Sequence, residues 1–422
     1  MSPLVRGNVV RNGDRGSLRV TLFPDAYHEV DGVANTSRHF EAFAQNRQLP
    51  FLTIHAGPSN DMVSEGSVTR IQLRRSPLTF PLDRTHEYDL ALWRRYREVM
   101  CLVRAFDPDV VQITGPGDLG MLGALIAHKL GIPLAASWQT NVHQYARCRL
   151  APFLSCLPKS ASARVLSTVE RWCFRAAARF YEIPRVLFAP NQDMVELLQR
   201  STGKPCFLMS HSVDAAVFSP QFRDRDGGPF TLGYVGRLTA EKNVRCLAQL
   251  EESLLARGHR GFRIIVVGEG AEATWLRENM QRAELTGVLT GKDLSRAFAN
   301  MDLFVFPSET DTFGLAVLEA LSSGVPAVVT AVGGPKYTVQ HGKTGYIANN
   351  FDDFVTFAEL LMTQPCLLSR MRSAAREHAV ATSWEQIFEA MYETYERCFY
   401  AADSGRHEIL DVAKIKRGKV LS

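Results

Sequence analysis

The eight cysteines of this 422-residue sequence include no C-x-x-C pair and none beside a histidine at zinc-finger spacing. That excludes a zinc module and a thioredoxin-like redox pair. The scatter fits reduced, buried thiols in a cytosolic protein better than a disulfide framework. Long apolar runs are also missing. The most apolar stretch, Leu119 to Trp138, is broken by His128, Lys129 and Pro133, so no membrane-spanning helix is predicted. The N-terminus, MSPLVRGNVVRNGDRGS, has arginines but no apolar run of signal-peptide length. Residues 1–17 therefore read as a disordered basic tail. Charge of one sign is scarce: 48 Lys and Arg against 44 Asp and Glu leave +4, too little to announce a nucleic-acid binder. Gly (30) and Pro (20) occur at ordinary shares, which excludes fibrous and low-complexity chains.

What is present is a repeating α/β grammar. At roughly 150 residues per domain, the length predicts two or three domains and a chain split by a cleft. Short apolar runs followed by helical patterns predict parallel strands at Leu18–Phe23, Phe51–Ile54, Val110–Ile113, Leu134–Ser137, Ala178–Tyr181 and Val186–Ala189. The segment SPQFRDRDGGP reads as a linker over 218–229. The grammar then restarts with strands at Thr231–Val235, Arg263–Val267, Gly287–Thr290, Leu303–Phe306 and Ala327–Thr330. After Ser383 comes a helix with an aromatic stripe at Trp384, Phe388, Met391 and Tyr395. The expected fold class is α/β, with two doubly wound parallel-sheet domains, 18–217 and 230–382. Facing sheets of this kind hold ligands between the carboxyl ends of their strands.

The segment FVFPSETDTFGLAVLEALSSGVPAVVT, from Phe304 to Thr330, is the most specific. A buried strand ends at Pro307, a helix opens near Phe313–Gly314 and closes at Gly324. Its free N-terminal amides offer a seat for an anion. Asp311 and Glu319 stand eight residues apart, which on a continuous helix turns them about 80° from one another. Two such carboxylates suit the hydroxyls of a sugar and a ribose. Asp311 is equally a good N-cap, and Glu319 an ordinary solvated charge. In YVGRLTAEKNV, Gly236, Arg237 and Lys242 follow a strand and suit a diphosphate. The VVGEG ending at Gly270 lacks a full dinucleotide fingerprint.

Together these segments resemble the retaining glycosyltransferases of the GT-B fold, glycosyltransferase family 4, over about Leu18 to Tyr395. The resemblance implies that Arg237 and Lys242 bind the donor diphosphate and that Glu319 holds the nucleotide ribose. It implies that Asp311, at a position where the family usually has glutamate, contacts the transferred sugar. Phe313, Gly314 and Leu315 would offer backbone amides to sugar and phosphate. The loop after the first strand, at Asp31, Gly32 and Val33, would meet donor phosphate and acceptor. The 18–217 domain is then the acceptor side, the 230–382 domain binds the nucleotide sugar, 383–400 is a helix returning to the first domain, and 401–422 is a basic tail.

Many members of the family carry a histidine where this chain has Gln139, beside Thr140, Asn141 and His143 on the acceptor side. Glutamine hydrogen-bonds but exchanges no proton near neutral pH. In FDPDVVQITGPGDLGMLG, Gly117, Gly120 and Gly123 read as a helix start with close packing. Residues 141–182 carry a net +5, and Arg164, Arg171, Arg175 and Arg179 share one helical face beside Val165, Val169, Trp172, Ala176 and Phe180. Such a helix suits either an anionic lipid surface or ordinary packing on the sheet.

The expectation is a cytoplasmic retaining hexosyltransferase, peripheral on the inner membrane face if the basic helix meets lipid. Its donor would be a UDP- or GDP-sugar and its acceptor a sugar or lipid-linked molecule. No metal and no further cofactor are expected, because the chain's own cations serve the diphosphate. Two rivals stand beside it: a catalytically weak sugar-nucleotide-binding relative with a regulatory or scaffold role, and a GT-B epimerase. A plain dinucleotide oxidoreductase is disfavoured by the missing fingerprint.

Overall fold

A computed structural model describes residues 17–28, 32–81, 87–139, 159–225 and 227–400. The first half builds an eight-stranded sheet from β1 (Val20–Phe23), β2 (Phe51–Gly57), β3 (Asp61–Glu65), β4 (Val68–Arg74), β7 (Val110–Ile113), β8 (Leu134–Ser137), β9 (Val186–Ala189) and β10 (Cys206–Leu208). A separate two-stranded ribbon joins β5 (Thr79–Pro81) to β6 (Glu87–Asp89). The order across the large sheet is β10-β9-β8-β7-β1-β2-β4-β3, parallel except for the β3–β4 hairpin. The second half is a six-stranded parallel sheet of β11 (Phe230–Val235), β12 (Phe262–Val267), β13 (Ala283–Gly287), β14 (Leu303–Phe306), β15 (Ala327–Thr330) and β16 (Gly345–Ala348). Its order is β13-β12-β11-β14-β15-β16.

Runs such as LFVF and AVVT are buried along their whole length because helices cover both faces. Each sheet winds outward in two directions from one central pair, β1/β7 in the first and β11/β14 in the second. At such a switch point the loops leaving the two strands diverge and open a crevice for ligand.

Four helices carry or support residues of functional interest. α1 (Gly32–Asn46) follows β1, and α4 (Lys159–Tyr181) precedes β9. α5 (Gln192–Thr202) follows β9, and α9 (Leu315–Ser322) follows β14. Counting these and α2 (Tyr96–Phe106), α3 (Asp118–Leu130), α6 (Cys246–Ala256), α7 (Ala273–Asn279), α8 (Gly291–Ala299), α10 (Phe351–Thr363) and α11 (Pro365–Val380), the last helix is α12 (Trp384–Tyr395). A capping box at Ser383 and Gln386 starts α12. It lies on the first sheet: Phe388 stacks on Phe40 of α1 at 4.5 Å, and Tyr395 donates to Gln112 Oε1 at 2.9 Å. Arg47 holds its outer face through Glu385 (2.7 Å) and Glu389. The two chain crossings between the halves are tied together where Ser212 donates to the Thr382 carbonyl at 2.6 Å.

Two expected strands need correction, and others went unforeseen. Ala178–Tyr181 is the last turn of α4, not a strand, and the helix ends only ahead of Pro184. Of Gly287–Thr290 only Gly287 is in a strand; it ends the half-exposed AELTG, which pairs with β12, since an edge strand needs no continuous apolar run. The β3–β4 hairpin, whose β3 is almost wholly exposed, and the short β16 were both missing from the expectation. The 218–229 segment is fastened rather than loose. Arg223 grips the buried Asp302 at 2.8 Å, and Arg225 reaches its second oxygen.

Candidate active site

The loops leaving β11 and β14 flank the switch point of the second sheet, and they carry the residues singled out in sequence. After β11 the chain turns at Gly236, whose φ of 153° and 3.0 Å clearance to Tyr234 Oη leave little room for a side chain. The neighbouring loop packs directly on this one. A Cβ on Gly268 would meet Gly236 O at 2.0 Å, and one on Gly270 would meet Leu238 O at 2.1 Å. The glycines of VVGEG thus serve backbone packing beneath the Arg237 loop. Arg237 is half-buried, and its carbonyl accepts from Tyr234 Oη at 3.0 Å.

Lys242 ends the short turn Ala240–Lys242 and is buried. Its Nζ lies 2.6 Å from Asp311 Oδ1 in the loop after β14. Burial opposes ionisation of Asp311, but Lys242, the Ser308 hydroxyl and the charge of Arg237 outweigh it and hold the carboxyl below its ordinary range. Asp311 Oδ2 is buried and without a hydrogen-bond partner, a polar atom that a ligand hydroxyl would satisfy.

The helix-wheel relation between Asp311 and Glu319 does not apply, because α9 begins only at Leu315, beyond Asp311. Gly314, at φ 89°, takes the left-handed conformation from which α9 starts. Asp311 is not the N-cap; that position belongs to Gly314. Glu319 sits half-buried on α9, and burial pushes its carboxyl up to about 7. Phe313 is buried and its ring lies 4.6 Å from that of His211, in the crossing between the halves.

From the first sheet, Gly32 opens α1 directly opposite α9. A Cβ on Gly32 would lie 3.1 Å from Leu315 Cδ1, so the first residue of α1 packs on the Leu315 side chain at the start of α9. Each helix start carries partial positive charge of the kind that favours an anion. Gln139 follows β8, buried, with Nε2 donating to Ser137 Oγ at 3.0 Å and Oε1 buried without a partner. Asp31, Thr140, Asn141 and His143 lie outside the described residues.

The glycines at 117, 120 and 123 have the packing role read from sequence. Asp25 accepts from the amides of Gly117 and Gly120, each at 3.2 Å, and a Cβ on Gly123 would strike the Phe23 ring at 2.8 Å.

Sequence reading missed the supports of the Asp311 loop. Thr310 donates to the Glu241 carbonyl at 3.2 Å, and Gly334 N donates to the Asp311 carbonyl at 2.7 Å. Asn191, capping α5, donates to the Thr312 carbonyl at 2.6 Å. The Gly333-Gly334-Pro335 run was a visible turn signal. Nothing in the sequence pointed to Asn191 or Thr312.

On α4, Arg164, Arg171, Arg175 and Arg179 are all exposed. The helix packs on the core through Phe174, Ala177, Phe180 and Tyr181. Three residues of the anticipated apolar face, Val165, Trp172 and Ala176, are exposed instead, the first two at 41% and 66%. Among the described residues no helix is long and apolar enough to cross a membrane.

Comparison with known proteins agrees with this architecture. The sequence model of the family described as "Glycosyl transferases group 1" matches residues 229–363, and that of the "Glycosyl transferase 4-like domain" matches 25–205. A GDP-mannose-dependent alpha-mannosyltransferase of Mycobacterium tuberculosis is 31% identical over 90% of this chain and 96% of its own length. One of the same description from Corynebacterium glutamicum is 31% identical over 70% of this chain and 69% of its own. Among solved structures, the sucrose-phosphate synthase of Thermosynechococcus elongatus overlays 90% of this chain and 99% of its own with a TM-score of 0.68 at 16% identity, a likeness of fold. The chain belongs to the family 4 type of glycosyltransferases, built on the GT-B fold.

Proposed function

We propose that this protein transfers mannose from GDP-mannose to a sugar or lipid-linked acceptor with retention of the α configuration. The Lys242–Asp311 pair at 2.6 Å carries the reading, since it holds a diphosphate-binding cation against a sugar-binding carboxylate at the mouth of α9. The starts of α1 and α9, in contact through the Leu315 side chain, would supply amides to the phosphates. The relatives named GDP-mannose-dependent alpha-mannosyltransferases support the donor. They also support retention, because GDP-mannose carries its sugar in the α configuration.

Arg237 and Lys242 grip the diphosphate, and Glu319, as carboxylate, accepts the ribose hydroxyls. Asp311 accepts a mannose hydroxyl at its open Oδ2. The C1–O bond to GDP breaks as an acceptor hydroxyl forms its bond to C1 on the same face. The acceptor proton passes to the departing phosphate oxygen, so no side-chain base is required and Gln139 serves as a hydrogen-bonding wall. Stabilising the phosphate charge is the protein's main catalytic task. Cations of the chain do this, so the reaction needs no metal and no further cofactor.

The exposed arginines of α4, with Trp172 and Val165 beside them, support docking on the anionic inner face of a membrane, where a lipid-linked acceptor resides. Nucleic acid is not a partner. Incubation with GDP-mannose and UDP-glucose in the presence of a membrane lipid extract tests the reading. Mannosylated lipid with an α anomeric signal by NMR supports it. Donor binding with neither transfer nor hydrolysis favours a non-catalytic relative, and free altered sugar without acceptor favours an epimerase.

A further inference from the structure

Resting on the transferase reading, the geometry points to Thr312 as a positioning residue that locks the donor loop to the acceptor-side half. We infer that closure of the cleft is fastened chiefly at this residue. Thr312 Oγ1 donates to the Gln139 carbonyl at 2.8 Å, and Asn191 Nδ2 donates to the Thr312 carbonyl at 2.6 Å. Gln139 and Asn191 follow neighbouring parallel strands, β8 and β9, so both partners are held by the same rigid sheet. Asn191 is itself fixed, since its Oδ1 accepts from Met194 N at 2.9 Å while capping α5.

The residue that bridges the cleft is flanked in sequence by Asp311 and Phe313. A movement of Thr312 therefore moves the Asp311 carboxylate and the start of α9 together. The loop cannot retreat into its own half either. Gly334 backs it so closely that a Cβ there would lie 1.9 Å from Thr312 O. A second tie, Lys336 to Asp193 at 2.8 Å, crosses the same side of the cleft but is exposed. Screening by solvent leaves it weak, so the half-buried Thr312 bonds bear the closure.

The consequence is a division of labour. Diphosphate binding rests on Arg237 and Lys242 within the second half. Thr312 acts later, by bringing acceptor-side groups against the bound sugar. Its loss therefore lowers turnover more than donor affinity.

Thr312→Val keeps shape while removing the hydroxyl, Thr312→Ser restores it, and Asn191→Ser keeps an α5 cap while removing the amide donor. Thr312→Val is expected to lower kcat by about tenfold, the order one lost hydrogen bond allows, with the donor Kd within about twofold. Thr312→Ser should recover most of the rate, and Asn191→Ser should match the valine variant. Solution X-ray scattering without donor reads the clasp directly: both weakened variants should have a larger radius of gyration than the wild type. Unchanged kcat and unchanged scattering overturn the inference, as does a loss of donor affinity equal to the loss of kcat. If the wild-type protein binds no sugar nucleotide, the transferase reading fails, and the scattering comparison still decides whether Thr312 fastens the two halves.

Discussion

Replacing Lys242 with glutamine strips the buried Asp311 of the ammonium 2.6 Å from its Oδ1. Breaking a buried ion pair by removing one partner costs about 3–5 kcal/mol. Asp311 keeps the Ser308 hydroxyl and the Arg237 charge, and its side chain is 20% exposed, so the lower end applies, about 3 kcal/mol. For a domain of this size each kcal/mol shifts Tm by about 2–4 °C, so the variant should melt about 6–12 °C lower at pH 7.

The pH dependence gives a sharper signature because its sign inverts. In the wild type the Asp311 carboxyl is depressed, so its stabilisation is present above the unfolded value and lost as pH falls through the folded one. Without Lys242, burial, the largest influence on this group, raises the carboxyl above its unfolded value. The penalty then grows as pH rises and is relieved by acidification. Between pH 7 and pH 5 the Tm of Lys242→Gln should climb relative to that of the wild type, the comparison that cancels the titration of Glu319 and the other groups both proteins share. The double variant Lys242→Gln/Asp311→Asn should regain most of the lost stability, with a coupling of about 2 kcal/mol in a double-mutant cycle. Scanning calorimetry across that pH range is the assay. A Lys242→Gln protein with wild-type Tm and a pH profile parallel to the wild type's would refute the account of the pair.

Other perturbations give separate readings. Glu319, raised to about 7 by burial, must ionise to accept ribose hydroxyls, so donor affinity should strengthen as pH rises through about 7, by up to about tenfold per unit below it. Glu319→Gln should flatten that profile, and a persisting slope would remove Glu319 from the site. Gly334→Ala forces a methyl onto the Thr312 carbonyl; a loop shift of about 1 Å would cost on the order of a hundredfold in kcat with the circular dichroism unchanged. Exchanging Arg171 and Arg175 for glutamine should weaken sedimentation with anionic vesicles by about thirtyfold, at roughly 1 kcal/mol per charge. Wild-type protein that fails to bind such vesicles even at low salt would end the membrane reading.

The sheet topology was legible where strands are buried on both faces: LFVF and AVVT allow no other reading as elements of a parallel sheet. It was illegible at edges. The exposed DMVSE of β3 and the AELTG of β13 carry no apolar run, because an edge needs none. Ala178–Tyr181 misled for the opposite reason, since its small and aromatic residues pack as the last turn of a helix. In the candidate site, Arg237, Lys242 and Asp311 were visible because cations and a carboxylate in loops that follow strands are the side chains that suit phosphates and hydroxyls. Thr312 and Asn191 were invisible. Each works largely through main-chain carbonyls across the cleft, and such contacts depend on where two distant strands end, which no local pattern encodes.

Isothermal titration of GDP-mannose into the wild-type protein and into Arg237→Ala tests the central claim most directly, with guanosine as the control lacking a diphosphate. The account predicts saturable wild-type binding to GDP-mannose, binding weaker by about a hundredfold for guanosine, and a comparable loss in Arg237→Ala as charge-assisted contacts to the diphosphate disappear. Equal binding of guanosine and GDP-mannose, or undiminished binding by Arg237→Ala, would contradict it.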